Sequence, residues 1–270
     1  MVGTLLVLVG CAGAAAPPTP TPAVFSDHCE SSAVVSWRGH WLVGDNEADK
    51  VLFEYDPAGR LIGRMALSIP IEDIEAIAGN EGNLLVVGSH SRNKHGEEKA
   101  GRQKMVHNFN REIHPALSGC APCMAAAALA PNAGGLNIEG AAYVGGHLWL
   151  GLRAPLDGTK AILLNEGPDG NQLQRQVSID LGGAGVRDLV PYKTGVLIVG
   201  GPVDDRGDDH SLWWLETMDA TPKKIPVSLP PRTEGIALTP DGIFYVTDGD
   251  GKPGKCKTPS TWGTISLPLP

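Results

Sequence analysis

The sequence predicts an all-β fold made of about five copies of one antiparallel unit, and three observations lead to this prediction. The composition is rich in turn formers, with 35 Gly and 22 Pro among 270 residues. An acidic residue followed by a small or apolar run recurs along the chain. An apolar strand ending in Gly or Thr follows each copy at a nearly constant distance. Many short strands separated by tight turns are typical of such a pattern.

The first half of the repeat is a strand that opens with the acidic residue. Four segments share this pattern, at residues 73–78, 137–142, 186–190 and 232–237. A turn rich in Gly, Asn or Asp follows in three of the four, and Thr-Gly follows in the other. Such turns supply the positive φ angles that hairpins require. Second strands then end at residues 85–88, 148–151, 197–200 and 244–247, and residues 41–44 are a fifth copy.

The acidic residues of the repeat are Glu75, Glu139, Asp188 and Glu234. They precede the end of the second strand by 13, 12, 12 and 13 residues. In the first repeat the same count reaches Ser31 or Ser32, so the acid is missing there.

Third strands are visible at residues 51–55, 105–107, 161–164 and 212–215, with weaker fourth strands at 63–67 and 225–229. Four antiparallel strands repeated in this way are the signature of a β-propeller-like fold with about five four-stranded blades. One irregular region interrupts the series. It predicts a short helical insert near 115–131, with the helix itself in the Ala-rich residues 124–129.

The last repeat lacks a fourth strand, and residues 23–25 are predicted to fill that place and cover the open edge. Five cysteines accompany this arrangement. If Cys11 takes a lipid, four remain, and we predict disulfides Cys120–Cys123 and Cys29–Cys256, the second clamping the junction of the two chain ends. Cys120 and Cys123 also match a redox pair or half of a zinc site, but no thioredoxin-like pattern surrounds them.

Residues 1–23 are predicted to precede the folded domain, which then occupies residues 24–270. Residues 5–9 form an apolar run too short to span a bilayer, and they lead into a segment that resembles a bacterial lipobox at Cys11. A Pro-rich tether follows. The alternative is an ordinary signal peptide cleaved near residues 14–16. Both predict export, to the periplasm or cell envelope, with a lipid anchor at Cys11 as the only contact with a membrane.

The net charge of −8 and the lack of a basic stripe argue against a nucleic-acid partner. A small molecule, or an anionic ligand, is the partner that the predicted site favours.

Hairpin geometry predicts where that site lies. In an antiparallel pair the start of the first strand lies beside the end of the second. Glu75, Glu139, Asp188 and Glu234 should therefore meet the residues that follow the second strands at one mouth of a central channel. His90, Arg92 and Arg153 are among those following residues.

Three kinds of chemistry fit this mouth. Converging carboxylates raise each other's pKa, and a calcium ion held by Glu75, Glu139, Asp188 and Glu234 would satisfy them. Alternatively, the four acids form an ionic ring with Arg92, Arg153, Arg187 and Arg232. In the third interpretation the same arginines clamp an anionic substrate.

His90 is the candidate general base, with a hydrogen-bonded structural histidine as the alternative. The acidic loops 204–209 and 248–251 contain calcium-type ligands without a full EF-hand spacing, which favours solvated turns.

Four segments of the chain resemble a known family. They are residues 137–140, 151–155, 88–92 and 233–235, and the two that contain Glu139 and Arg153 are the most specific. The chain resembles, over about residues 30–250, the family known as domain of unknown function 3616, and more loosely the esterase-like phytases. It departs from the pattern by an insert after the second repeat and by the acid missing from the first. The resemblance implies a propeller-like fold and no settled activity.

Two classes of function follow from the sequence. The first is an exported propeller that binds a small ligand or a metal ion at the channel mouth. The alternative is a metal-assisted hydrolase of a phosphoester, ester or lactone.

Overall fold

The structure, a computed structural model, describes residues 22–25, 27–80, 82–167, 172–204, 207–252 and 255–270. Five four-stranded antiparallel sheets form a five-bladed β-propeller, as predicted. The first strand, β1 (Ala23–Val24), belongs to the last blade. Blade 1 then comprises β2 (Ser31–Trp37), β3 (His40–Asp45), β4 (Val51–Tyr55) and β5 (Leu61–Ala66).

Blades 2 and 3 follow in chain order with the same topology. Blade 2 comprises β6 (Ile74–Asn80), β7 (Asn83–Gly88), β8 (Met105–His107) and β9 (Arg111–Ile113). Blade 3 comprises β10 (Asn137–Val144), β11 (His147–Ala154), β12 (Ala161–Glu166) and β13 (Leu173–Ile179).

Blade 4 and blade 5 complete the propeller. Blade 4 comprises β14 (Gly185–Tyr192), β15 (Gly195–Gly201), β16 (Ser211–Leu215) and β17 (Lys223–Lys224). Blade 5 contains β18 (Thr233–Thr239) and β19 (Gly242–Thr247), and after a separate hairpin of β20 (Asp250–Lys252) and β21 (Lys255–Thr258) it continues with β22 (Thr261–Ser266). The hairpin was not predicted, because residues 248–251 read as a turn.

The ring of blades closes through its two ends. Strand β1 pairs antiparallel with β22 and supplies the missing fourth strand of blade 5, which confirms the prediction for residues 23–25. The innermost strands β2, β6, β10, β14 and β18 contact one another in that order, and β18 also contacts β2. The disulfide Cys29–Cys256, with Cα atoms 5.2 Å apart, joins the same junction as predicted.

Hydrophobic residues are buried between blades rather than in one central core. Five clusters form, one at each interface of adjacent blades. In β7, Leu84 and Val86 pack toward blade 1, whereas Leu85 and Val87 pack toward blade 3. Successive side chains of a strand point to opposite faces, so a strand covered on both faces is apolar throughout. This explains the unbroken apolar runs of the second strands.

Close approach of neighbouring blades accounts for the Gly that ends several second strands. A Cβ atom at Gly44 would lie 2.8 Å from Cγ2 of Ile74 in blade 2. A Cβ atom at Gly151 would lie 2.5 Å from Cγ1 of Val186 in blade 4. Only a residue without a side chain fits at this distance.

The predicted insert is present between blades 2 and 3. Its helix α1 (Ala121–Ala126) is flanked by 3-10 turns at Leu117–Gly119 and Pro131–Ala133. The helix begins earlier than the predicted 124–129, because Cys120 caps it and Pro122 in the first turn needs no hydrogen-bond acceptor for its nitrogen. The Cys120–Cys123 disulfide is also confirmed. Within the described residues, no helix has the length and apolar character to cross a membrane.

One predicted strand is wrong, and one prediction lies outside the described residues. The fourth strand of blade 4 is Lys223–Lys224, not 225–229. Pro226 cannot donate to a ladder, and Ile225 and Leu229 instead pack into the cluster between blades 4 and 5. Cys11, the apolar run 5–9 and most of the tether lie among residues 1–21, which the structure does not describe.

The two disulfides differ in the chain they enclose, which leads to a prediction. Cys29 and Cys256 are 227 residues apart, whereas Cys120 and Cys123 are 3 apart. Changing Cys29 and Cys256 together to Ala should lower the free energy of unfolding by about 4–5 kcal/mol, because the unfolded chain regains the entropy of a long loop. The Cys120→Ala, Cys123→Ala pair is the control and should cost about 2 kcal/mol or less. Urea unfolding measures both, and equal losses would contradict the entropic account.

Candidate functional site

A β-bulge occurs at the same place in every blade and determines which side chains form the site. The pairing of each innermost strand with its second strand shifts register by one residue near the start. The residues at the bulge are Ser32, Glu75, Glu139, Arg187 and Glu234. A bulge leaves one residue unpaired and re-aims its side chain. All five line one cavity with a volume of about 970 Å³.

The bulge corrects the predicted repeat in blade 4. In every blade the bulged residue stands 13 positions before the residue paired with its predecessor, as Glu75 stands before Gly88. In blade 4 this position is Arg187, and Asp188 is one residue further along. The structure therefore brings Glu75, Glu139 and Glu234 together as predicted, with Arg187 in place of the fourth acid, and Ser32 stands where the first acid is missing.

Asp188 has a different role from the other three acids. Its carboxylate accepts the backbone N–H of Leu189 at 2.8 Å and that of Ile236, in blade 5, at 2.7 Å. It is not among the residues that line the cavity. Burial raises its pKa to about 8. Asp188 therefore links blade 4 to blade 5. Its polar side chain is accounted for by the two backbone N–H groups that it accepts at this position.

Arg187 lies between two of the glutamates. Its Nη1 is 2.9 Å from Glu139 Oε2, and its Nη2 donates to Glu234 Oε1. Arg187, Glu139 and Glu234 are 8%, 2% and 6% exposed. Burial alone would lower the pKa of Arg187, but the Glu139 and Glu234 carboxylates outweigh it and hold the pKa above its ordinary value. The guanidinium is therefore a fixed positive charge in the cavity wall.

Glu139 has further partners on its own blade. Arg153 Nη1 donates to its Oε1 at 3.1 Å, and Asn137 Nδ2 donates to the same oxygen at 2.7 Å. Burial raises the pKa of Glu139, while Arg187 and Arg153 oppose that effect. With two guanidinium groups in contact, the carboxylate belongs to an ionic network of the predicted kind.

Glu75 differs from the other bulge acids. No hydrogen bond or ion pair joins its carboxylate to any residue that the structure describes. Its pKa is raised well above 4.5, first by burial and then by the nearby carboxylates of Glu139, Asp73 and Glu234. The cavity thus contains a carboxylic acid without a partner beside a carboxylate paired with arginines.

A second tier of polar side chains surrounds the bulge residues. Arg102 Nη1 is 3.0 Å from both Asp73 Oδ2 and Ser91 Oγ, and Arg232 pairs with Asp248. Burial raises the pKa of Asp248 to about 7. Asp73 and Arg232 both adopt left-handed backbone conformations, with φ of 60° and 59°. Non-Gly residues in that region cost about 1–3 kcal/mol each and concentrate at functional sites.

The structure places two predicted site residues away from the cavity. His90 is buried, its Nδ1 donates to the Gly88 carbonyl at 2.8 Å, and burial lowers its pKa to about 4. Arg92 donates to the backbone carbonyls of Ala127 and Gly96, at 2.9 and 3.0 Å, and so holds the insert. Neither lines the cavity, whereas Arg153, Arg187 and Arg232 do.

The lining residues that sequence reasoning missed include two that can carry a charge, Arg102 and His210. Both precede a third strand, β8 or β16, and the start of a third strand lies beside the end of the second. The same hairpin rule that selected Arg153 could therefore have found them. Of the two acidic loops, the first contributes Asp204 and Asp208 and the second Asp248, while residues 205 and 206 lie outside the described residues.

The calcium prediction is not decided by this geometry. Across the described ranges, no group of three or more His, Cys, Asp and Glu side chains is arranged to hold a metal ion. The contacts of Glu139 and Glu234 favour the arginine network. Calcium at Glu75, Glu139, Asp188 and Glu234 stays a prediction.

Fold and site together define a five-bladed propeller with a polar cavity at the bulged ends of its innermost strands. Residues 116–228 match the family described as "Protein of unknown function (DUF3616)", which confirms the predicted resemblance over that part of the chain. The matched region runs from the insert to the end of blade 4 and contains Glu139, Arg153 and Arg187. No curated protein sequence matches this chain.

Solved structures with a similar fold include two family-43 glycoside hydrolases. A mutant of the GH43 protein BlXynB from Bacillus licheniformis has a TM-score of 0.56 and 10% identity, and the match covers 90% of this chain and 53% of that one. A thermostable family-43 glycoside hydrolase has a TM-score of 0.54 and 9% identity, with coverages of 92% and 97%. At such identities the similarity concerns the fold alone.

Removing the charge of Glu139 tests the arginine network. Glu139→Gln should lower the free energy of unfolding by about 3–5 kcal/mol, because Arg187 and Arg153 lose a buried counter-charge. Glu216→Gln, which affects the exposed Lys223–Glu216 pair, is the control and should change stability little. EDTA should leave the melting temperature of the wild type unchanged. A melting temperature that EDTA lowers and Ca²⁺ restores would instead favour the calcium site.

The raised pKa of Glu75 predicts a pH-dependent cost to stability. Below about pH 4.5 Glu75 is protonated in both states, whereas at higher pH the unfolded chain ionises it and the folded protein does not. Stability therefore falls as pH rises from about 4.5 to the folded pKa. Glu75→Gln removes this loss, so its stability relative to the wild type should increase as the pH rises above about 4.5.

Urea unfolding at several pH values measures this difference. The exposed substitution Glu98→Gln serves as the control. A difference between Glu75→Gln and the wild type that is independent of pH would show that Glu75 titrates normally.

Proposed function

We propose that this protein is a ligand-binding propeller that takes a small polar molecule into the cavity at the bulged strand ends. The observation that carries the proposal is a concentration of buried polar atoms without hydrogen-bond partners in the cavity wall. Among the described residues they are Asn46 Oδ1, Asn137 Oδ1, Glu139 Oε2, Arg187 Nε and Nη1, His210 Nε2 and Asp248 Oδ1.

Each of these atoms would be more stable with a hydrogen-bond partner. A buried donor or acceptor left unsatisfied costs about 1–3 kcal/mol, so most such atoms in folded proteins are bonded to protein, water or ligand. Several of them around one cavity indicate that its occupants complete the hydrogen bonding. The left-handed backbone at Asp73 and Arg232, in the same wall, supports a functional role as well.

His210 presents one hydrogen-bond acceptor to the cavity. Its Nδ1 lies 3.1 Å from the carbonyl oxygen of Asp208, so this nitrogen carries the proton and donates. Burial lowers the pKa of the imidazole. The ring is therefore neutral near pH 7, and Nε2 presents a lone pair without a partner among the described residues.

An arginine clamp for an anionic ligand has less support. Arg153, Arg187 and Arg232 line the cavity, but each contacts a carboxylate of the same wall. An anion would have to compete with those carboxylates for the guanidinium groups, and it would face the unpaired Glu75.

Hydrolysis of a phosphoester, ester or lactone is the second candidate function, and the presence of both Glu75 and Glu139 in one cavity wall favours it. Two carboxyl groups in one cavity with different protonation states can serve as general acid and base. Glu75 would donate its proton to the leaving group as that bond breaks, and the Glu139 carboxylate would accept a proton from the water that attacks the substrate. A metal-assisted version would require the predicted calcium ion.

We further propose that the protein is exported and anchored through a lipid on Cys11. Two disulfides support export, because such bonds form and persist in oxidising compartments. Mass spectrometry of the protein purified from membranes tests the acyl group on Cys11 directly.

A ligand panel tests the binding function. Neutral sugars, amines, carboxylates and phosphate esters are each added to the wild-type protein, and the melting temperature is recorded. A true ligand at 100 times its dissociation constant should stabilise the fold by about 2.7 kcal/mol. Asn137→Ala should weaken that effect, because Asn137 lines the cavity with an unpaired carbonyl oxygen.

Asn165→Ala is the matched control. Asn165 also has a buried carbonyl oxygen without a partner, but it lies on β12 and does not line the cavity. Ligand stabilisation that both variants lose equally would count against the cavity as the site. Product analysis on the same panel separates binding from hydrolysis, since only a hydrolase consumes its ligand.

A further inference from the structure

Acidic side chains outnumber basic ones in the described part of the cavity wall. Among the described lining residues, seven carboxylates face four guanidinium groups. Every one of those arginines is already in contact with a carboxylate: Arg102 with Asp73, Arg153 with Glu139, Arg187 with Glu139 and Glu234, and Arg232 with Asp248. The arginines therefore neutralise their own partners, and within the described residues none of them forms an ion pair with Glu75.

Glu75 has mostly acidic neighbours in this wall. The charged groups that act on it are Glu139, Asp73 and Glu234, which are negative, and Arg187, which is positive. Arg187 directs its two terminal nitrogens to Glu139 and Glu234 and not to Glu75. Glu75 is thus a carboxyl group in a negative field, with no donor from the described residues.

The unsatisfied polar atoms of the wall are a second, independent indication of what the ligand must carry. Five of them are acceptors, namely Asn46 Oδ1, Asn137 Oδ1, Glu139 Oε2, His210 Nε2 and Asp248 Oδ1, and two are donors, Arg187 Nε and Nη1. A molecule that completes this wall must bring more donors than acceptors. Phosphates and carboxylates do the reverse, and each hydroxyl of a neutral polyol brings one donor together with two acceptor lone pairs.

We propose that the ligand is an organic cation with N–H donors, a primary amine or a guanidinium compound, whose charged group binds against Glu75. This inference rests on the proposed binding function of the cavity. An ammonium group supplies three donors and a guanidinium five, and neither has an acceptor. A cation at this point also supplies the counter-charge that Glu75 lacks.

Binding of such a cation is coupled to a proton. In the free protein, burial and the surrounding carboxylates favour the protonated form of Glu75, because both raise its pKa. A cation beside the carboxyl favours the ionised form. The complex therefore forms with release of up to one proton below the raised pKa of Glu75, and affinity rises with pH over that range.

Matched pairs of probes test the proposal. Glucosamine is compared with glucose and N-acetylglucosamine, and 1,4-diaminobutane with 1,4-butanediol, by isothermal titration of the wild-type protein. The amines should bind at least tenfold more tightly than their neutral counterparts. Titration near pH 6 in two buffers of different ionisation enthalpy should show proton release, and Glu75→Gln should abolish it and weaken amine binding at least tenfold.

The outcomes separate this inference from the proposed function. Tighter binding of the neutral sugars or diol, or of carboxylates and phosphates, would overturn the cation inference and leave the binding function standing. Amine binding without proton release, or binding that Glu75→Gln leaves unchanged, would also overturn it. No binding by any amine, sugar or anion would overturn both. If Glu75→Gln does not fold, proton release by the wild type decides, and Glu98→Gln is the control.

Discussion

Closure of the ring is the constraint on which the rest of this structure depends. Each blade buries its apolar side chains against two neighbours, so an open ring would expose an interface at both ends. Here the first described strand completes the last blade, and Cys29–Cys256 joins the same two segments covalently. Around this junction Ser260 accepts the backbone N–H of Ser31 and donates to the Cys29 carbonyl, at 2.8 and 2.6 Å. Because both ends of the chain are fixed there, all five innermost strands are held at one axis.

The polar side chains at this axis are buried, and their ion pairs explain how the fold accommodates them. A bulge in each innermost strand turns one side chain toward the axis, and four of the five side chains are ionisable. Buried charges require partners, and an isolated one is strongly unfavourable. Arg187 meets this requirement for Glu139 and Glu234 at once. A fourth acid at that position would have added a like charge instead of a counter-ion.

The same arrangement leaves Glu75 without a partner among the described residues, and the proposed ligand site rests on this feature. A residue selected for stability alone would be neutral or paired. Proteins retain such costly groups mainly where they serve binding or catalysis, so an uncompensated acid is a functional signal with a physical reason. The strained backbone at Asp73, two residues before Glu75, belongs to the same wall and has the same implication.

The sequence by itself determined the fold and much of the site. Alternating burial between two blades requires continuous apolar strands, and the turns between them require Gly, Asn or Asp, so the repeat, its strands and the disulfide pairs could be read directly. The positions of Glu75, Glu139, Glu234 and Arg153 followed from hairpin geometry alone. Tertiary structure decided the rest. A one-residue bulge cannot be seen in a repeat of acidic residues, so only the paired strands show that Arg187, not Asp188, faces the axis. Likewise, His90 and Arg92 lie near the predicted face in sequence, but a left-handed turn at His90 and the carbonyls of the insert direct them elsewhere. Which acid is paired and which is not depends on distances across different blades, and these exist only once the ring has closed.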